Sequence, residues 1–408
     1  MSWETVCVQD IAEVFDGPHA TPPKSDDGPI YLGIPSILPD GGIDYENSKR
    51  ISYADFPKWT KRVTPRKNDV VFSYEANLES YAIIPEGFVG CLGRRMALMR
   101  PDTTKVNPRF LFYYMNSPQW KGVIAERTVL GATVNRIPIA TFPQFPIELP
   151  SLNTQERIAS ILMAYDNLIE NNRRQIALLE EAAQRLYREW FVDLRFPGHA
   201  DIETIDGVPA GWRRMPVSEY AHVIKGCSYK TENIDVERGI PMVNLASIAS
   251  WGGYKPFTER TYNGAYKNEQ VLGTSDVVMA LTEQTAGLAG YVARIPRYAE
   301  GSIPSMDLAC LRPKSGARAY LYCACRYGDV SRLLSPLANG TKIKHLKPEA
   351  LGYTTILVPP IELQQRFEEL VNSMFTDVDI LMEKSRALLV ARDRLLPKLM
   401  SGEIEVEG

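Results

Sequence analysis

The sequence predicts an α+β protein built twice. Two similar mixed α/β domains are separated by two long helices, which pair as an antiparallel coiled coil and give the chain a pseudo-two-fold internal repeat. Three observations predict this. Residues 152–192 carry apolar side chains at alternating steps of three and four, with no Pro or Gly among them. Residues 361–396 do the same. Nine residues of the first half reappear 209 positions later.

The seam of the first long helix runs Leu162, Tyr165, Ile169, Ile176, Leu179, Ala183, Leu186, Trp190, with Asn172 in its one polar slot. A 3-4 spacing keeps one stripe facing a partner, because 3.5 residues per turn holds the seam in phase. Pro150 precedes the stretch and Pro197-Gly198 follows it, as expected of helix boundaries. At about 1.5 Å per residue the helix is a rod of roughly 60 Å. The second seam runs Val371, Met374, Val378, Leu381, Leu388, Leu395, Leu399, with Ser385 and Arg392 as polar members. Pro397 is expected to end or kink this helix, since proline lacks the amide hydrogen that a helix interior uses. Each helix has a single apolar stripe, so each is the natural partner of the other.

The repeat joins Trp3, Val8, Ala12, Val14 and Gly17 to Trp212, Val217, Ala221, Val223 and Gly226. It also joins Gly131, Pro150, Gln155 and Arg157 to Gly340, Pro359, Gln364 and Arg366. Between these anchors NDVVFS (68–73) matches SDVVMA (275–280), and MALMRP (96–101) matches LACLRP (308–313). The DVVFS and DVVMA runs read as strands. Residues 107–120 and 317–334 read as helices at matching places. ATFPQFPIELP and LGYTTILVPP read as strands entering the two long helices. FPGHADIETIDGVPAGW (196–212), rich in Pro and Gly, reads as a linker.

Composition sets the outer bounds. A chain of 408 residues, 45% hydrophobic and 23% charged, is ordinary for a water-soluble protein of two or more domains. No apolar run approaches a membrane span, and no basic-then-apolar leader opens the chain. The six cysteines show no CxxC spacing and the four histidines are scattered, so free thiols in a reducing cytoplasm are expected rather than a zinc site. The net charge of −3 hides an uneven distribution. Residues 359–408 hold 6 Lys+Arg against 10 Asp+Glu, while residues 196–358 hold 18 against 15. Lys49, Arg50, Lys58, Lys61, Arg62, Arg66 and Lys67 stand against Asp55 alone, with Tyr53, Phe56 and Trp59 between them. Such a stretch is either a phosphate-contacting surface or a solvated loop.

Two similar domains on a paired rod present two similar surfaces at a fixed separation. DNA half-sites about one helical turn, roughly 34 Å, apart suit such an object. The motifs of the usual cofactor enzymes are missing. There is no G-x-G, no Gly-Lys dipeptide, no lysine with an acid two positions before it, and no N/D-P-P-aromatic tetrapeptide. The chain therefore reads as non-catalytic. The alternatives are a stand-alone DNA methyltransferase or nuclease, and a coiled-coil scaffold that binds protein rather than DNA.

LPSLNTQERI and VPPIELQQRF at the two helix entries carry a resemblance, as do LYREWFVDLRFPG, GVPAGW, RDRLLPKLMSGEI, GATVNRI and GTKIKHL. In this order they resemble the specificity subunit of type I restriction-modification enzymes in its full-length, two-domain form. The resemblance implies a first target recognition domain over 1–150, a central conserved helix over 151–195, a linker over 196–211, a second recognition domain over 212–358, and a distal conserved helix and tail over 359–408. Each recognition domain would read one half of a bipartite site in double-stranded DNA. The helices would space the domains and dock two modification subunits, which are adenine methyltransferases, and restriction subunits would join that complex. It implies no cofactor in this chain: S-adenosylmethionine, ATP and magnesium belong to the partners. One segment departs from the family pattern. After DVVFS the chain reads YEANLESY where glycines are common, whereas LTEQTAGLAGY in the second half is closer.

Candidate base-reading side chains follow the two central strands: Ser73, Tyr74 and Asn77, then Thr282, Gln284 and Thr285. Asn and Gln can pair with adenine and Arg with guanine; otherwise these residues only shape turns. Arg94, Arg95, Asn135 and Arg136 are further DNA-binding candidates in the first domain, and Lys342, Lys344 and His345 in the second. Most are expected to meet phosphates, which position a protein without specifying sequence.

Overall fold

The computed structural model describes residues 3–38, 40–130, 134–283 and 286–406. Two compact units result, one of residues 1–168 with 388–408 and the other of 169–387.

In the first unit Glu4–Cys7 pairs antiparallel with Pro146–Leu149, Val6 opposite Ile147. A four-stranded antiparallel sheet follows in the order Ala12–Asp16, Met96–Pro101, Val70–Ser73, Tyr81–Ile83. The central strand is buried throughout because the sheet has a core on each face. Val70 and Phe72 join Phe110, Trp120 and Phe142 on one side, and Val71 joins Leu32, Ile84 and Leu98 on the other. A strand covered on both faces reads as an unbroken apolar run, which is why DVVFS does not alternate.

The second unit repeats this plan. Arg213–Pro216 pairs with Thr355–Val358. Its sheet runs Ala221–Lys225, Leu308–Pro313, Val277–Ala280, Val292–Arg294, the same order and the same antiparallel sense. Val277 and Met279 enter one core, Val278 and Ala280 the other.

The segments expected as single helices are each broken. Pro108–Met115 is capped by Asn107, whose Oδ1 accepts from the amides of Arg109 and Phe110 at 2.9 and 3.1 Å. Pro118–Arg127 begins afresh behind Ser117, whose hydroxyl accepts from the Trp120 amide. Pro118 holds Ser117 extended (ψ 157°), so the first helix cannot continue. In the second unit Arg318–Arg326 and Val330–Leu334 are separated at Gly328, where a Cβ would stand 2.5 Å from the Ala324 carbonyl oxygen.

The long helices are Leu152–Tyr187, continued by a π-helical turn over Arg188–Val192, and Ile361–Met400. The glutamine of each entry motif has a structural task. Gln155 is fully buried, donates to the Pro150 carbonyl at 2.9 Å and accepts from the Asn107 amide at 2.8 Å. Gln364 donates to the Pro359 carbonyl at 2.7 Å and accepts from the Tyr220 hydroxyl at 2.7 Å. Each ties the first turn of its helix to the exit of the strand before it. Within the second unit Asn172 faces Ser385 and Trp190 packs on Phe367. Both pairs of residue numbers sum to 557, so the helices are antiparallel there. The π turn widens the helix enough to bury Trp190 and Phe191 together, the latter against Tyr320, Phe367 and Trp212.

Pro397 does not end the second helix, one of the two outcomes expected of it; the helix runs on to Met400. A proline inside a helix costs about 3 kcal/mol. Burying Leu399 and Met400 in the first unit's core returns about 1.5–3 kcal/mol for each side chain. The segment expected as a linker is ordered in part: Thr204–Ile205 pairs with Val208–Pro209, and Phe196 is buried against Trp212 at a ring separation of 5.0 Å. No helix among the described residues is long and apolar enough to cross a membrane.

Candidate nucleic-acid interface

The stretch after each central strand is knotted to two distant segments, and the knot is the same in both units. In the first, the Tyr74 amide donates to the Arg95 carbonyl at 3.1 Å, and the Tyr74 carbonyl accepts from the Ile137 amide at 2.8 Å. In the second, the Leu281 amide donates to the Asp307 carbonyl at 2.8 Å, and the Leu281 carbonyl accepts from the Leu346 amide at 2.7 Å. Glu75 bridges to Arg136 in the first, and Thr282 pairs with His345 in the second. Val129 and Arg136 close a hairpin that Asn339 and His345 close in the other unit. The second hairpin depends on Gly340, whose φ is +151° and where a Cβ would lie 1.9 Å from the Ile343 carbonyl oxygen.

This frame gathers most of the first-domain candidates. Ala76 donates its amide to the Asn135 carbonyl at 3.3 Å, which holds the 73–77 and 135–137 segments side by side. Asn77, Asn135 and Arg136 are exposed there, and Arg94 is exposed on the adjoining turn. Arg95 reaches Glu75 at 2.9 Å. Ser73 is buried, with its hydroxyl donating to the Glu75 carbonyl at 2.7 Å. Tyr74 is buried at the ring, and its hydroxyl lies 3.4 Å from Nδ1 of His19. Burial first, then the nearby Asp16 and Glu75 charges, push the Tyr74 hydroxyl up to about 12, so it stays protonated.

The basic stretch divides. Arg62 lies 3.5 Å from Asp16, and Asp16 holds His19 at 2.9 Å, so Arg62 belongs to the Tyr74 neighbourhood. Lys58 and Lys61 line the same recess with His19 and Trp59. Arg50 is spent on backbone, donating to the Gly28 and Tyr45 carbonyls. The exposed Lys49 precedes it, its carbonyl accepting from the Tyr31 amide. Arg66 and Lys67 stand at the opposite end of the Val70–Ser73 strand from Tyr74, and Lys67 is paired with Glu86 at 2.7 Å.

In the second unit Lys344 pairs with the buried Glu283 at 3.1 Å, and the Glu283 carboxylate also accepts from the Leu288 and Ala289 amides at 3.2 and 3.0 Å. Burial alone raises the Glu283 carboxyl, but these amides and the ammonium outweigh it and hold it below the usual range. Thr282 is buried with its hydroxyl donating to Asp307 at 2.9 Å. Lys342 and His345 are exposed. Gln284 and Thr285 lie outside the described residues.

Sequence reasoning passed over four residues of this surface. Asp16 and His19 sit more than fifty positions from Tyr74, and no local pattern links them. Met306 takes the place in the second unit that Arg94 holds in the first, and both are exposed. The alignment of MALMRP with LACLRP, extended two residues backward, carries that signal. Trp251, an exposed indole beside Gly287, was hidden in a turn-like S-W-G-G run.

Comparison with known proteins points one way. Residues 1–181 match the family model described as the type I restriction modification DNA specificity domain. The MjaIX type I restriction enzyme specificity subunit of Methanocaldococcus jannaschii is 24% identical, over 99% of this chain and 94% of that one. The HindI type I restriction enzyme specificity subunit of Haemophilus influenzae is 20% identical, over 92% and 94%. The crystal structure of a type I restriction-modification S subunit from M. genitalium shares the fold with a TM-score of 0.54 at 17% identity, covering 98% of this chain and 96% of that one.

Proposed function

We propose that this chain is a specificity subunit of the type I restriction-modification family whose DNA specificity domain its residues 1–181 match, and that each of its halves reads one part of a bipartite site in double-stranded DNA. The observation that carries the reading is the repeated knot. The same backbone hydrogen bonds hold the Tyr74 and Leu281 segments, while the side chains they display differ: Arg94, Asn135 and Arg136 in one, Met306, Lys344 and His345 in the other. A constant frame with variable side chains is what two readers of two different sequences need. Asn77, Asn135, Arg94 and Arg136 meet base edges or phosphates in the first half-site. Lys342, Lys344 and His345 do so in the second. Lys58, Lys61 and Arg62 contact the flanking backbone, and Ser73 and Thr282 keep the frame in shape.

The chain carries no chemistry of its own in this reading. The two long helices space the halves and dock two modification subunits, which bring S-adenosylmethionine, and restriction subunits bring ATP and magnesium. The complex works in the cytoplasm. A mobility shift with a split-site duplex tests the DNA reading, and methyl transfer by the chain alone and with a modification subunit tests the division of labour. Binding with no methyl transfer by the chain alone is expected; methyl transfer by the chain alone would overturn the reading.

A further inference from the structure

Each unit contains a small hairpin reproduced bond for bond. In the first, the Leu38 amide donates to the Gly42 carbonyl, the Gly41 amide to Leu38, and the Asp44 amide to Ser36, each at 2.9 Å. In the second, the Ala249 amide donates to Gly253, the Gly252 amide to Ala249, and the Lys255 amide to Ser247, again each at 2.9 Å. The hairpin tip is Asp40 in the first unit and Trp251 in the second. The fold of this hairpin therefore does not require an aromatic residue.

Trp251 is nonetheless held firmly. Its amide donates to the Gly287 carbonyl at 2.8 Å, and its ring stands edge-on to Tyr291 with centroids 5.4 Å apart. A Cβ on Gly287 would lie 2.8–2.9 Å from three indole atoms, so the absence of a side chain there is what seats the ring. The backbone of Trp251 has φ +66°, a conformation that costs a non-glycine residue energy. With all this, the side chain stays 63% exposed. Gly287 lies four residues beyond Glu283, whose carboxylate pairs with Lys344 and accepts from the Leu288 and Ala289 amides. An open aromatic face is thus fixed beside the segment assigned above to the second half-site.

We propose that Trp251 packs its indole on bases of the second half-site and is a specificity-determining residue of that half alone. This rests on the DNA-reading function proposed above. Stacking on bases tolerates sequence but rewards unstacked or deformable steps, so Trp251 selects by deformability rather than by hydrogen bonding.

The test uses the full chain and duplexes carrying the motif methylated in a host that expresses this chain with its modification subunit. 2-Aminopurine replaces one base at a time along both half-sites. Wild-type chain is expected to change 2-aminopurine fluorescence at one or two positions of the second half-site, and Trp251→Ala to abolish that change and weaken binding about 5- to 100-fold. Trp251→Phe should keep most of both. Trp251→Asp, which copies the first unit's hairpin, should fold as wild type and behave as Trp251→Ala. Unchanged affinity and fluorescence in folded Trp251→Ala or Trp251→Asp would overturn the proposal while leaving the DNA reading in place. Unchanged DNA binding with lost capture of the modification subunit would make Trp251 a protein contact and overturn it equally. Failure of the wild-type chain to bind the mapped motif would instead overturn the DNA reading itself.

Discussion

The side-chain amide of Asn172 donates a 3.1 Å hydrogen bond to the hydroxyl of Ser385, and both residues are buried in the seam between the long helices. Ser385 donates in turn to the Leu381 carbonyl at 2.8 Å. A polar pair in an apolar seam holds one alignment against its neighbours, because any slip strands both groups among hydrocarbon. In a double-mutant cycle, Asn172→Ala and Ser385→Ala should each destabilise the protein, with a coupling of about 0.5–1.5 kcal/mol. Asn172→Leu with Ser385→Ala should melt at or above the wild-type temperature. Urea titrations decide it, and fully additive single effects would remove the pair from the account.

A stronger effect is expected where a charge would be stranded. The Arg294 guanidinium and the Asp379 carboxylate are both buried and paired, Nη1 donating to Oδ2 at 3.1 Å, and Arg294 also lies over the Phe375 ring at 4.8 Å. Asp379→Ala leaves that guanidinium without its counter-charge and should cost about 3–5 kcal/mol. The Arg294→Met, Asp379→Leu double variant should recover most of the loss. Denaturant midpoints of the wild type and the two variants test this.

Glu283 makes stability depend on pH in a defined direction. Its folded-state carboxyl lies below the ordinary value of 4.5, so its contribution is present in full above that value and fades as pH falls through the folded one. Glu283→Gln should cost about 1–2 kcal/mol at pH 7 and less as pH falls through the folded-state value, which lies below 4.5. A gap between variant and wild type that widens on acidification would contradict the assignment.

Periodicity made the two seams legible, and the constant displacement made the repeat legible, because both are written in single residues at regular intervals. Other features depend on contacts that spacing does not show. The run of Phe110 to Tyr114 suggested that one helix continued to Trp120, although Ser117-Pro118 marks a restart. The tail beyond Pro397 is helical because Leu399 and Met400 find a core that lies elsewhere in the sequence. Gln155 and Gln364 stand out as repeated letters, but their buried hydrogen bonds to Asn107 and Tyr220 join residues 48 and 144 positions apart, which no local spacing shows. Among the candidates after the central strands, position in the sequence does not tell inward-facing side chains from exposed ones. Burial separates Ser73 and Thr282, whose hydroxyls face inward, from Asn77 and Arg136, which are exposed.

Arg136 tests the contact assignment in the first half. Arg136→Ala should leave the fold intact, since its backbone bonds to Val129 remain. If Arg136 meets a base, the change relaxes one position of the first half-motif and costs about 1–3 kcal/mol of binding. If it meets a phosphate, binding weakens uniformly and the salt slope falls by about one. Binding measured against salt concentration on matched and mismatched duplexes separates the two, and no change in either would remove Arg136 from the interface.

The central claim is that the two halves read DNA independently. Residues 1–150 are exchanged for the matching domain of a relative, the hybrid is expressed with the modification subunit, and methylated positions are mapped across the host genome. The account predicts that one half of the bipartite motif changes while the half read by residues 212–358 stays the same. A motif altered in both halves, or in neither, would contradict it.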